Sequence, residues 1–305
     1  MMKKIHIIGL LAITLCFSCK NSKPDNGKLN VVCTTTMITD LVNNIGRDLI
    51  NTQGLMGSGV DPHLYKASEG DVSKLSNADI IFYNGLHLEG KLVEIFEKMK
   101  QMDIYTIALA DQLDKSTLIG SDYFASNYDP HVWFNIGYFK QFAIKVTEVL
   151  SQINPENAAS FKSNLDSYLT ELTELEKTIT DTISTLPEEK RILVTAHDAF
   201  NYFGKTYGFE VVGLQGLSTA TEAGVQDVQK LAAFIIEKNV KAIFVESSVP
   251  KRTIEALKAA VNSKGHDVAI GGTLYSDALG DAGTEEGTYI GMFKYNVNTI
   301  VNALK

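Results

Sequence analysis

Short β-branched runs bounded by turns alternate along this chain with longer stretches of helical period. LNVVCTT (29–35), DLINTQGLM (48–56), ADIIFYN (78–84) and DIYTIAL (103–109) fall in the first half. RILVTA (191–196), FEVVGL (209–214), KAIFVES (241–247) and DVAIGG (267–272) fall in the second. Strands separated by helical stretches are βαβ units, whose strands pair in parallel. The pattern predicts an α/β fold with one small domain in each half.

Between the halves the grammar changes. NPENAASFKSNLDSYLTELTELEKTITDTISTL (154–186) has no Gly and no Pro after Pro155, and its apolar residues, from Phe161 through Leu172 to Leu186, recur every three or four positions. That spacing predicts one amphipathic helix of about 30 residues, roughly 45 Å long. Asn154-Pro155 or Asn157 starts it and Pro187 stops it. The expected division is residues 29–154 as an N-terminal α/β domain, 155–187 as a linking helix and 188–305 as a C-terminal α/β domain.

The first 19 residues stand apart. MMKKIHIIGLLAITLCFSC carries two lysines, a short apolar run and Ser18-Cys19, the layout of a secretion signal. The run of about 13 residues is shorter than the roughly 20 that span a bilayer. A Cys after a small residue makes Cys19 the expected lipidation site and mature N-terminus, although Cys16 stands where such signals usually carry Leu. Residues 20–28 then read as a polar tether. The chain is expected to be exported and lipid-anchored through Cys19.

Loss of Lys3 and Lys4 with the leader takes the formal charge from −8 to −10. An acidic balance of that size argues against nucleic acid as a partner and against a polybasic membrane patch. Of the 3 Cys, only Cys33 remains within the folded part. It cannot form an internal disulfide and reads as a small buried apolar residue.

The chemistry concentrates in histidines that follow strands. Asp-Pro-His occurs twice, at 61–63 and 129–131, in a chain with 6 His and 6 Pro. Proline fixes its own φ and holds the preceding Asp extended, so each following His leaves a stiff backbone. Metal–nitrogen bonds of about 2.0–2.1 Å need such fixed directions. His63 and His131 are therefore candidate metal ligands. His197, directly after RILVTA, is a third, because ligands of open parallel sheets sit outside the strands' C-terminal ends.

A fourth, oxygen ligand could come from Asp277, Asp281, Glu285 or Glu286, and spacing does not choose among them. Asp61 and Asp129 either orient the imidazoles or cap turns. Asp198, next to His197, either supports that ligand or caps the next helix as its N-cap. Glu222 and Glu246 are isolated acids that could support a ligand or cap a helix. His87 reads as structural and His266 as a solvated turn residue. HExxH, GxSxG and GxxxxGK(S/T) are absent, so three common enzyme signatures have no anchor.

At these residues the chain resembles the metal-binding solute-binding lipoproteins of ABC importers, the cluster A-I or TroA-like zinc and manganese family. The motifs that carry it are CTTTMITDLVNNIGRD, GLMGSGVDPHLYKASEGDV, NADIIFYNGLHLEGKL, DPHVWFN, LVTAHDAFNYFGKTYGFEVVGLQGLSTATEAG, AIFVESSVP and GGTLYSDALGDAGTEEGTYIGM, and together they span almost the whole mature chain. The resemblance implies two domains with roughly four-stranded parallel sheets, a rigid helix between them and a metal in the cleft. It places ligands on His63 and His131 from the first domain and on His197 and Asp277 from the second. His87 becomes a motif residue without a metal role.

The resemblance further implies a binding protein rather than an enzyme, expected as a monomer that delivers a divalent cation to an ABC permease with its ATPase. Three imidazoles and one carboxylate rank zinc first, manganese second and ferrous iron third, since imidazole suits zinc and manganese prefers oxygen. The stretch 111–128 lacks the His-rich loop of many zinc relatives. Two rival readings are a zinc hydrolase using the same three His with Asp277 or Glu246 as general base, and an adhesin, a label some relatives carry.

Overall fold

The computed structural model describes residues 27–122 and 124–305, so the expected leader, Cys19 and most of the tether lie outside it. Among the described residues no helix is long and apolar enough to cross a membrane. The first half runs β1 (Leu29–Cys33), α1 (Thr36–Gly46), β2 (Ile50–Gly54), α2 (Glu69–Ser76), β3 (Ile80–Tyr83), α3 (Val93–Gln101), β4 (Tyr105–Ala108) and α4 (Ile136–Ile153). A turn at Pro155–Asn157 leads into α5 (Ala158–Ser184). The second half runs β5 (Ile192–His197), α6 (Asn201–Tyr207), β6 (Glu210–Gln215), α7 (Val225–Glu237), β7 (Ala242–Glu246), α8 (Arg252–Asn262), β8 (Ala269–Leu274) and α9 (Tyr289–Leu304).

The first four strands form one parallel sheet in the order β2-β1-β3-β4. In the second half the ladders are two parallel pairs, β5-β6 and β7-β8, with β5 packed beside β7. The roughly four-stranded parallel sheet expected there is built as two paired ladders side by side. In both halves the chain reverses its direction of strand addition between two central strands, β1 and β3 or β5 and β7. The crevice at such a reversal is where open α/β sheets take ligands.

Side chains alternate across each strand. Val31, Cys33, Ile80 and Phe82 face one core with Leu193, Ala242 and Phe244 of the second half, while Val32 and Ile81 face the first half's outer core with Leu75 and Phe96. Val194, Ile243 and Val245 likewise face an outer core with Leu231 and Leu257.

The long helix α5 has 27 residues, about 40 Å at 1.5 Å per residue. It buries Phe161, Leu165, Tyr168, Leu172, Leu175, Ile179 and Ile183, and these belong to the inner core shared by both halves. Phe139 stacks on Tyr289 with ring centroids 3.7 Å apart, and the Tyr289 hydroxyl donates to Trp133 O at 2.6 Å. An apolar interface of this kind opposes large motions of the halves against one another. Cys33 is fully buried in this core.

Candidate metal centre

His63 follows β2 in a turn that Gly59 enters at φ +69. His131 precedes a single turn at Val132–Phe134, and Asn135 then caps α4 by accepting Tyr138 N–H at 3.0 Å. His197 is the last residue of β5, and Asp277 comes three residues after β8. The four are 5%, 0%, 0% and 1% exposed, so their polar atoms must find partners among themselves or in a ligand.

One ligand atom from each lies within 4.8 Å of the others, and among the described residues no other group of His, Cys, Asp or Glu converges so. His63 Nε2 stands 3.2 Å from His131 Nε2, His131 Nε2 3.6 Å from Asp277 Oδ1, and His197 Nε2 3.3 Å from Asp277 Oδ2. Atoms bound at 2.0–2.1 Å to one tetrahedral ion stand about 3.3 Å apart. Both oxygens of Asp277 face imidazole nitrogens, so the carboxylate can engage a cation with one oxygen or with two.

Carboxylates hold two of the rings. Asp129 Oδ1 lies 2.7 Å from His131 Nδ1 and accepts the His131 backbone N–H at 2.9 Å. A carboxylate only accepts, so Nδ1 carries the proton and Nε2 presents its lone pair to the centre. Glu246, the last residue of β7, accepts the His197 backbone N–H through Oε1 at 2.8 Å, and its Oε2 lies 2.6 Å from His197 Nδ1. Asp61 Oδ1 accepts the His63 backbone N–H at 2.8 Å, so it shapes the turn.

The electrostatics ask for positive charge. Asp129, Glu246 and Asp277 are buried carboxylates, and buried charge is costly unless paired. Burial pushes the His63 imidazole down to about 3. Burial also opposes charge on His197, but Glu246 and Asp277 outweigh it and lift this imidazole well above its ordinary range. Burial works against the Asp277 carboxylate as well, yet His197, His131 and His63 hold it well below the usual value.

The loop bearing Asp277 is pinned by the first half. Trp133 Nε1 donates to Ser276 O at 3.1 Å, and Leu279 N donates to Thr36 Oγ1 at 2.8 Å. A pocket of about 450 Å³ opens beside the cluster, lined by Phe124, Asp198, Gln215, Thr221 and Asp227 among others.

The profile of the family described as "ZnuA: Zinc-uptake complex component A periplasmic" matches residues 31–303. The chain belongs to this family. Among its ZnuA-family relatives, the manganese-binding lipoprotein MntA of Bacillus subtilis is 45% identical over 299 residues, covering 98% of this chain and 97% of that one. The zinc-binding protein TroA of Treponema pallidum is 46% identical over 298 residues, covering 97% and 96%. The solved structure of periplasmic zinc-binding TroA superposes with a TM-score of 0.89 at 47% identity, covering 91% of this chain and 99% of that one. Members of this family are binding receptors, and the hydrolase alternative finds no support among them.

For this ZnuA-family chain several expected roles need correction. Asp198 does not cap α6, whose N-cap is Phe200 without a side-chain bond; it accepts Gly213 N–H at 2.7 Å and ties β5 to β6. Glu222 is exposed and pairs with Arg252 at 3.1 Å, so it supports no ligand. His266 is half-buried, its Nε2 3.2 Å from Val240 O. Among the other acids considered, Asp281 and Glu285 are exposed and Glu286 is half-buried. His87 is exposed at φ +63.

Two residues near the site had no signal in the sequence. Asn201 Nδ2 donates to Asp129 Oδ2 at 3.1 Å, and Thr219 Oγ1 donates to Asp61 Oδ2 at 2.5 Å. Asn and Thr at helix and loop starts read as caps, and only the tertiary arrangement places them beside the Asp-Pro-His turns.

Proposed function

We propose that this chain is the extracytoplasmic receptor of an ABC importer, which captures a divalent metal ion and passes it to a permease driven by an ATPase. The ion is cargo, held by His63, His131, His197 and Asp277. The observation that carries the reading is a buried cluster of three imidazoles and a carboxylate at ligand spacing, backed by Asp129 and Glu246. Four ligands from two halves close the coordination sphere, which suits capture and leaves no open position for reaction.

Zinc is the first candidate because three of four ligands are imidazole, and manganese is the second. The relatives are named for both metals at nearly equal identity, and both oxygens of Asp277 face the centre, which favours the oxygen-preferring ion more than the residue types suggest. The test is metal analysis of protein purified without chelator, followed by zinc–manganese competition on wild type and His197→Glu. Wild type should favour zinc, and His197→Glu should move the preference toward manganese. Equal retention of both metals by wild type would remove the zinc assignment.

The same reading includes a lipid anchor on Cys19, a monomeric state, and the three-part division at 29–154, 155–187 and 188–305. Palmitate labelling lost in Cys19→Ala tests the anchor, sedimentation tests the monomer, and limited proteolysis locates the boundaries. Relatives named as lipoproteins support the anchor.

A further inference from the structure

The two Asp-Pro-His turns share a second feature, outside the ligand set. In each, one aspartate oxygen accepts the backbone N–H of the histidine two residues on, His63 at 2.8 Å and His131 at 2.9 Å. In each, the other oxygen accepts a hydrogen bond from a side chain of the second half, Thr219 for Asp61 and Asn201 for Asp129. The partners are 158 and 72 residues apart in sequence. Tyr202, next to Asn201, adds a bond from its hydroxyl to Asp129 O at 3.1 Å.

We propose that Thr219 and Asn201 are positioning residues, each holding one histidine of the first half in place through its aspartate, so that both imidazoles are aimed only while the halves are closed. The proposal rests on the metal-receptor reading above. A carboxylate held at one oxygen can still pivot about its Cβ–Cγ bond, and a second donor fixes its plane. For Asp129 the oxygen that takes the backbone N–H also faces the ring Nδ1 at 2.7 Å, so tilting the carboxylate tilts the ring. For Asp61 the effect passes through the backbone of the turn.

The arrangement gives release a trigger. Hydrogen bonds weaken steeply once donor and acceptor part beyond about 3.5 Å, so a separation of about 1.5 Å between the halves takes both bridges past that limit. Two of four ligands then lose their aim together, without any force on the ion. Asp277 behaves differently, since Trp133 and Thr36 tie its loop to the first half. Thr219 sits in the 216–224 loop between β6 and α7, beside the pocket, where a docked partner can reach the segment.

Zinc release from the loaded full chain into excess chromogenic chelator tests this, comparing wild type with Thr219→Val, Asn201→Leu, Asn201→Asp, Thr219→Ser and His131→Ala. Loss of a group that orients a metal ligand costs about 10–100-fold in affinity, so Thr219→Val and Asn201→Leu should each release zinc about tenfold faster or more. Thr219→Ser keeps the donor and should match wild type. The visible spectrum of the cobalt(II)-loaded protein should change in the Val and Leu variants and not in the Ser variant. A purely structural role would lower the melting temperature of the metal-free protein and leave release rate and cobalt spectrum as in wild type, and that result overturns the proposal. If Asn201→Leu does not fold, Asn201→Asp, which removes the donor at equal size, decides by the same rate. Should His131→Ala hold zinc like wild type, the metal-centre reading itself falls; should it lose zinc while the Val and Leu variants release normally, only the positioning role falls.

Discussion

Glu246 Oε2 stands 2.6 Å from His197 Nδ1, and both residues are sealed from solvent at the crevice between β5 and β7. The carboxylate thereby fixes both the ring and the backbone of one ligand. A partner of this kind raises the electron density on the ligating nitrogen and sets the tautomer.

Glu246→Gln should therefore weaken zinc binding by about 10–100-fold while leaving one ion bound per chain at saturation. Chelator competition at neutral pH measures it. An unchanged affinity would reduce Glu246 to a strand-end cap.

Metal binding should release a proton from His197. Glu246 and Asp277, against the effect of burial, hold this imidazole well above its ordinary range, which favours the protonated ring before the ion arrives. Where one proton is displaced, affinity falls about tenfold per unit of acidification. Calorimetry in buffers of different ionisation enthalpy reads the proton directly, and in Glu246→Gln the released fraction should shrink.

Two histidines of the metal-free protein should contribute opposed arms to its pH-dependent stability, and the sign of each follows from the direction of its shift. Burial holds His63 in the folded state at about 3, below the unfolded value of about 6.5, so the unfolded chain binds more protons between these limits and stability falls as pH drops through that window. The raised His197 contributes stability that is fully present below about 6.5 and is lost as pH rises through its folded value. Melting temperatures from pH 4 upward check both arms, and His63→Leu should flatten the acid arm.

Asp129→Asn should harm zinc binding more than Asp61→Asn. Asp129 faces the His131 ring and its backbone, whereas Asp61 bonds only the backbone of His63 and Thr219. Parallel chelator titrations compare them, and equal losses would show that ring orientation contributes little.

Leu172→Ala, in the middle of α5 and fully buried, should cost about 2–5 kcal/mol. Because the inner core joins both halves, unfolding should remain a single transition by far-ultraviolet and Trp133 signals. Two separated transitions would mean that the halves fold apart.

The eight strands of the described residues and the long helix were legible in the sequence, because strand alternation and helical period are local patterns. The Asp-Pro-His turns, the strand-end His197 and the burial of Cys33 could be read the same way. Asp277 could not be told from Asp281, Glu285 or Glu286 by spacing, and its selection came from resemblance. Its 1% exposure, against the exposed Asp281 and Glu285, arises because Trp133 and Thr36 fold its loop inward. Those contacts cross more than a hundred residues, beyond any local pattern.

The sequence by itself therefore determined the elements, their parallel sense and the residue types able to hold a metal, since these depend on neighbours within a turn or a strand. Only the tertiary structure decided how each candidate is used. It brought Glu246 to His197, sent Asp198 to Gly213 and Glu222 to Arg252, and split the labour of Asp61 and Asp129 through Thr219 and Asn201. The physical reason is that a carboxylate's role is set by the donor it meets, and here the donors arrive from other strands, other loops or the other half of the chain.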